Sequence, residues 1–185
     1  MKSILVICIP ALIVMAMSCA NHAQKQAIST IDSLIAVNTS VYREIEAIEI
    51  DSIQMMYDTV KKYNRFFATT QSLDSNIDAS VLMLMYEYGT IDKTFKKFLQ
   101  KHYSASINDL NTRRKQLENL KQDVENKLID NERIKQYLQL EDSLMSFVAA
   151  DVRGRIMQVE QHKEKYYRYH HEIVKLTDSL KNATR

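Results

Sequence analysis

The sequence predicts an all-α protein, and we expect an elongated antiparallel bundle of three long helices with coiled-coil-like packing. Only two glycines and one proline occur in 185 residues, and these residue types punctuate turns and end helices. An all-β fold needs turn residues about every 8–12 positions, so the composition excludes it. Apolar residues recur at steps of three and four, which is the spacing of one helix face. A bundle of four helices is the alternative.

The first predicted helix covers residues 24–70. Its apolar seam runs from Ile28 to Phe67 and includes Asn38. Near Glu49 the seam needs an extra four-residue step, a stutter that locally unwinds a coiled coil. Neither glycine nor proline interrupts the segment, so we predict one continuous helix.

The second predicted helix covers residues 78–129 and follows a polar segment at 69–78. That segment is rich in Ser, Thr, Asp and Asn, which form turns and cap helices. Gly89 predicts the end of a helix, because glycine is common just after the last helical residue. An irregularity is also predicted at Ser104. A break at either position would give the four-helix alternative.

The third predicted helix covers residues 132–182 and follows a turn at Asp130. Gly154 lies inside it and costs about 1 kcal/mol relative to Ala, which the long apolar seam can tolerate. The three helices are nearly equal in length, as an up-down-up bundle requires. In that bundle the first and third helices run parallel.

Residues 1–18 have the features of a signal peptide. Lys2 precedes an uncharged apolar run of 14 residues. A signal peptide has an apolar run of about 7–15 residues, whereas a bilayer span takes about 20. The run ends in Ala16–Met17–Ser18–Cys19, which resembles the lipobox of bacterial lipoproteins.

The lipobox resemblance implies that Cys19 carries a lipid and becomes the first residue of the mature chain. Residues 19–23 would then form a short tether, and residues 24–182 a single helical domain. Ordinary secretion after cleavage at the same bond, and a membrane-spanning anchor, are the alternatives. Cys8 leaves with the signal peptide, so a lipidated mature chain has no thiol for catalysis, disulfides or metal ligation.

The layout as a whole resembles small uncharacterised coiled-coil lipoproteins of the Bacteroidota. Ala20 follows the cysteine, in place of the Asp that holds enterobacterial lipoproteins at the inner membrane. No acidic cluster of the kind that marks surface export follows it either. These resemblances imply an outer membrane lipoprotein of the cell envelope that faces the periplasm.

Aromatic and basic residues are interleaved near the C-terminal end of the third helix. On a helix, Tyr167, Arg168 and His171 face outward, whereas Tyr166 and Ile173 face the core. The outward residues form a candidate contact surface for a partner or for anionic lipid headgroups. The structural alternative is a seam of half-buried tyrosines whose hydroxyls reach the surface.

The sequence contains no motif that requires catalysis, a metal or a cofactor. No His pair has the four-residue spacing of a zinc helix, and no Glu is followed by His three residues later, as di-iron bundles require. Glycine-rich phosphate loops and nucleophile elbows are also missing. The balanced charge is unlike that of nucleic-acid-binding domains. We therefore expect a non-enzymatic protein without metal, cofactor or nucleic-acid partner.

The expected function is that of a lipid-anchored structural or interaction module presenting a helical surface. Its partners would be the membrane, through the lipid on Cys19, and either an envelope protein or a second copy of the chain. The alternative is a periplasmic binding protein for a small apolar ligand or lipid, held near the Met- and Tyr-rich stretch at 81–88.

Overall fold

The computed structural model describes the backbone of residues 5–69 and 78–183, and the side chains of 22–69 and 78–182. Helix accounts for 94% of the described residues, and none of them is in a strand. The predicted all-α class is therefore confirmed. The predicted turn at 69–78 lies largely outside the described residues. The assignment of 24–182 to one domain stays a prediction.

Five α-helices and one π-helical turn make up the described chain. They are α1 (Leu5–Glu46), α2 (Ile50–Thr69), α3 (Ala79–Lys97), the π turn (Phe98–His102), α4 (Tyr103–Glu125) and α5 (Asn131–Ala183). The third predicted helix corresponds closely to α5. No helix of the described chain has the length and apolarity needed to cross a membrane.

The prediction of one continuous helix over 24–70 is wrong, because α1 ends at Glu46 and α2 begins at Ile50. Fully buried positions before the break end at Ile45, and those after it resume at Ile53. This step is one residue longer than a heptad seam allows. A straight helix would rotate one of the two apolar faces out of the core. The non-helical residues 47–49 absorb the offset.

The predicted helix end at Gly89 is also absent, since this residue lies inside α3. Tyr88 and Ile91, on either side of it, are fully buried, so tertiary packing outweighs the weak helix propensity of glycine. The chain instead departs from α geometry at the π turn, where the Tyr103 N–H bonds to the Phe98 carbonyl. Ser104, the other predicted irregularity, lies within α4.

Contacts divide the chain into two compact units. The first unit comprises α1 up to Tyr42 together with Asn108–Ala150. Asn38 is buried in its core, where its Nδ2 donates to the Leu110 carbonyl oxygen at 3.0 Å and lies 3.7 Å from Met145 Sδ. The largest fully buried apolar side chains of this unit are Ile31, Leu110, Leu117 and Met145.

The second unit comprises Arg43–Ile107 and the part of α5 from Asp151 onward. Its core joins α2, α3, the π turn and α5 through Ile53, Met56, Tyr57, Val60, Phe67, Tyr88, Ile91, Phe95, Phe98, Val159 and Ile173. At the α1 end of this unit, Arg153 Nη2 lies 2.7 Å from Glu44 Oε1. Both side chains are substantially exposed, so this ion pair contributes at most about 1 kcal/mol.

Candidate functional site

The outward-facing residues predicted on α5 lie at the surface. Tyr167 is 66% exposed, and Arg168 and His171 are exposed as well. The Arg168 guanidinium carbon lies 6.0 Å from the centroid of the neighbouring Tyr169 ring, at the outer limit for a cation–π contact. The predicted orientation of these three residues is therefore confirmed, while their role in partner contact stays a prediction.

An aromatic cluster occupies the inner side of the same stretch of α5. It consists of Tyr63 on α2, Tyr88 on α3, and Tyr166 and His170 on α5. His170 stacks on Tyr166 with centroids 4.7 Å apart, and it meets the edge of Tyr63 at 5.5 Å. The Tyr88 hydroxyl and His170 Nδ1 share a hydrogen bond of 2.8 Å. This bond ties α3 to α5.

Burial favours the uncharged forms of the two hydrogen-bonded groups in the aromatic cluster. It raises the pKa of the fully buried Tyr88 far above that of a free phenol. Burial also lowers the pKa of His170, with a smaller contribution from His171. A neutral phenol and a neutral imidazole can share one hydrogen bond without an unpaired charge. The arrangement is that of a packed core rather than of an open reactive site.

The three histidines of α5 do not converge. His162 contacts Thr94 at 3.2 Å and the Gln158 carbonyl oxygen at 2.8 Å. His170 lies in the aromatic cluster, and His171 faces solvent. Across the part of the chain with described side chains, no three His, Cys, Asp or Glu residues come together in a group that could hold a metal ion.

A basic groove runs along the second unit beside the π turn. It encloses about 180 Å³ and is lined by Lys93, Lys97, His102 and Arg155, with the buried Phe98 and Val159 between them. Sequence reasoning missed this groove. Its cationic residues come from segments more than 50 positions apart, and the near-neutral total charge conceals a local excess.

An apolar stripe is exposed on α5 within the first unit. Tyr137, Leu140 and Phe147 are 42%, 54% and 72% exposed, and the half-buried Leu144 lies between them. Steps of three, four and three residues place all four on one side of the helix. Large exposed apolar side chains that line up in this way are typical of contact surfaces. Sequence periodicity alone treats such positions as part of a buried seam.

The Met- and Tyr-rich stretch, predicted to hold a ligand, is divided between core and surface. Leu84 and Met85 pack against the core, whereas Leu82, Met83 and Tyr86 are exposed. A separate apolar groove of about 420 Å³ lies in the first unit, lined by Ala27, Thr30, Ile134 and Leu138 among others.

Cys19, the predicted lipid-attachment residue, lies in the backbone range of α1 but outside the described side chains. The helix begins at Leu5, so the backbone of 19–23, predicted as a short tether, is helical. Residues 20–24 contain neither glycine nor proline, and nothing local ends the helix there.

Comparison with known proteins provides no further assignment. No protein-family model matches the chain, and no significant similarity connects it to a curated protein or a solved structure.

Proposed function

We propose that this chain is a lipid-anchored protein of the cell envelope that acts as a non-enzymatic interaction module. Cys19 would carry the lipid at the periplasmic face of the outer membrane, as the lipobox resemblance implies. The observation that carries the interaction role is the apolar stripe of Tyr137, Leu140, Leu144 and Phe147 on α5. No metal or cofactor is part of the proposal.

The proposed architecture is an antiparallel, coiled-coil-like bundle of three long helical segments, with four helices as the alternative. Contacts inside each unit support this direction. Gln24 bonds to Val124 and Asn38 to Leu110, so α1 and α4 run in opposite directions. Within the second unit, Tyr88 bonds to His170 and Thr94 to His162, so α3 and α5 also run in opposite directions.

We propose a second copy of this chain as the occupant of the apolar stripe. The stripe is symmetric about its midpoint: in an antiparallel pairing, Tyr137 lies opposite the partner's Phe147, and Leu140 lies opposite the partner's Leu144. A two-fold interface requires this kind of self-complementarity, because residue i contacts j while j contacts i. The pairing matches ring with ring and leucine with leucine.

The expected self-association is weak in solution. Four side chains on three turns of helix bury much less than the roughly 800 Å² per partner of a standard stable interface. A lipid anchor would offset this deficit, because confinement to a membrane raises the effective concentration of one copy around another. The anchor and the stripe would therefore act together.

Site-specific photo-crosslinking in cells tests the proposed self-association. A crosslinking residue at Leu140 or Phe147 is expected to give a product of twice the monomer mass. The same crosslinking residue placed at Gln139, the exposed position just before Leu140, should give little of this product. A product of another mass would contradict self-association. The absence of any crosslinked product would contradict the proposal that the apolar stripe is an interaction surface.

A charge-insertion pair provides a matched control for the same surface. The double variant Leu140→Glu/Phe147→Glu should abolish the crosslink formed from Tyr137. The double variant Gln139→Glu/Ser146→Glu adds the same charge at exposed neighbouring positions and should leave it in place. Equal loss in both variants would attribute the effect to charge rather than to the stripe.

The lipid anchor has its own test. The mature protein should begin at Cys19 and carry the added mass of a diacylglycerol group on that cysteine. Intact-mass spectrometry measures this mass. The variant Cys19→Ala should release the protein from the membrane fraction. A mature chain with a free Cys19 thiol would contradict the anchored state.

A second candidate function is the binding of a small apolar ligand or lipid, and the apolar groove of the first unit favours it. Its volume of about 420 Å³ lies within the range of about 300–1,000 Å³ that ligand pockets occupy. Native mass spectrometry of the purified protein should then show a co-purified ligand that the variant Leu138→Glu loses. A ligand-free spectrum would contradict this function.

A further inference from the structure

The basic groove of the second unit combines a high local positive charge with limited neutralisation. Among the described residues, no carboxylate forms an ion pair with Lys93 or Lys97. Asp151 pairs with Arg155. Burial lowers the pKa of His102, and the nearby positive charges of Arg155, Lys97 and Lys101 lower it further. Lys93, Lys97 and Arg155 therefore give the groove a local excess of positive charge, which Asp151 neutralises only in part.

Two structural features distinguish the residues that line the groove. The hydroxyl of the fully buried Ser106 accepts a hydrogen bond of 2.9 Å from Arg155 Nη1, which leaves the guanidinium little freedom. The π turn Phe98–His102 carries His102 on its last residue. Single π turns occur frequently at functional sites. An arginine that is already held in place loses little side-chain entropy when it binds an anion.

The size of the groove limits the ligand that it can bind. Its volume of about 180 Å³ lies below the range of about 300–1,000 Å³ for pockets that enclose a whole small molecule. It suits one tetrahedral oxyanion group, with the remainder of the ligand outside. Arginine binds phosphate oxygens through its planar fork, and lysine contributes a point charge.

We propose that the groove formed by Lys93, Lys97, His102 and Arg155 binds the phosphate group of an anionic ligand. Lys93 and Lys97, one helical turn apart on α3, approach the phosphate from one side, and Arg155 on α5 approaches it from the other. A free phosphate compound and a phospholipid headgroup share this chemistry. The site lies outside the apolar stripe and does not depend on Cys19.

Titration of the full-length protein with inorganic phosphate tests the site. The imidazole NMR signals of His102 should shift and saturate at constant ionic strength, with a Kd on the order of 1 mM, which corresponds to about −4 kcal/mol. The signals of the exposed His171 are the internal reference and should not follow the same curve. A response of His102 that never saturates, or that chloride reproduces, would overturn the proposal.

The variant Lys97→Gln should weaken phosphate binding about tenfold, the equivalent of about 1.4 kcal/mol. Lys96→Gln removes the same charge from the adjacent exposed residue, which does not line the groove, and should change the affinity less than twofold. Equal weakening by both variants would mean general surface electrostatics and would overturn the site. Far-ultraviolet circular dichroism checks that both variants are folded.

The source of the phosphate group is decided by a second titration. Short-chain phosphatidylglycerol, kept below its micellar concentration, is compared with inorganic phosphate and with short-chain phosphatidylcholine. Binding of phosphatidylglycerol more than tenfold tighter than inorganic phosphate, and sensitive to Lys97→Gln, identifies a lipid headgroup. Equal or weaker binding identifies a free phosphate compound. Tight binding of all lipids that Lys97→Gln does not affect would overturn the groove as the phosphate site.

Discussion

The hydrogen bond between Tyr88 and His170 can be removed with little change in shape. The substitution Tyr88→Phe keeps the ring that contacts Tyr166 and deletes only the hydroxyl. The bond of 2.8 Å contributes about 1 kcal/mol net. Its removal also leaves His170 Nδ1 without this partner, and a fully buried unsatisfied group costs about 1–3 kcal/mol.

Because His170 is half-buried, water can compensate part of the loss, so we expect the low end of that range. The total loss should be about 1–2 kcal/mol, which lowers the melting temperature by about 2–8 °C in a protein of this size. Thermal unfolding followed by circular dichroism at pH 8 measures it.

Tyr86→Phe is the matched control, because the same hydroxyl is removed from a ring that is 68% exposed. Surface substitutions of this kind usually change stability by less than about 0.5 kcal/mol. Equal melting temperatures for the two variants would refute the reasoning. They would mean that the aromatic cluster is held by ring packing alone and that the hydrogen bond contributes nothing measurable.

Three further predictions concern other parts of the chain. Burial lowers the pKa of His170 in the folded chain, whereas the unfolded chain protonates this residue near its ordinary pKa of 6.5. The free energy of unfolding should therefore fall as the pH drops below about 6.5. Urea titrations across that range should show a smaller fall for His170→Gln. Asn38→Ala removes the buried bond to the Leu110 carbonyl and leaves a small cavity, so it should destabilise the protein by about 1–3 kcal/mol, measured by urea unfolding. Gly154→Ala should stabilise it by about 0.5–1 kcal/mol, because nothing lies within 4 Å of the added methyl group; destabilisation would indicate hidden crowding at this position.

Helix type and most helix bounds follow from the sequence, because long stretches carry a regular apolar seam. The offset near Glu49 was also visible as a stutter, but periodicity does not say whether a chain unwinds or breaks there. The answer depends on which neighbours each face must meet. Ile45 and Ile53 are both fully buried, and a break satisfies both positions.

The functional surfaces follow from the sequence only in part. Helical spacing correctly predicted that Tyr167, Arg168 and His171 face outward. It could not identify the partner of His170, because Tyr88 is 82 residues away in the chain. The basic groove could not be predicted from the sequence for the same reason. Lys97 and Arg155 belong to different helices, and only tertiary packing brings them together.

The π turn has a consequence for insertions and deletions in this chain. Phe98 and Tyr103 pack against each other, and the buried positions then continue at Ser106, Leu110 and Leu117. Deleting one residue from 99–102 would close the turn into a regular α-helix and give an unbroken heptad from Phe98 onward. Packing therefore does not require the additional residue. We expect this deletion to leave the buried seam of the helix intact but to displace His102 and so disrupt the basic groove.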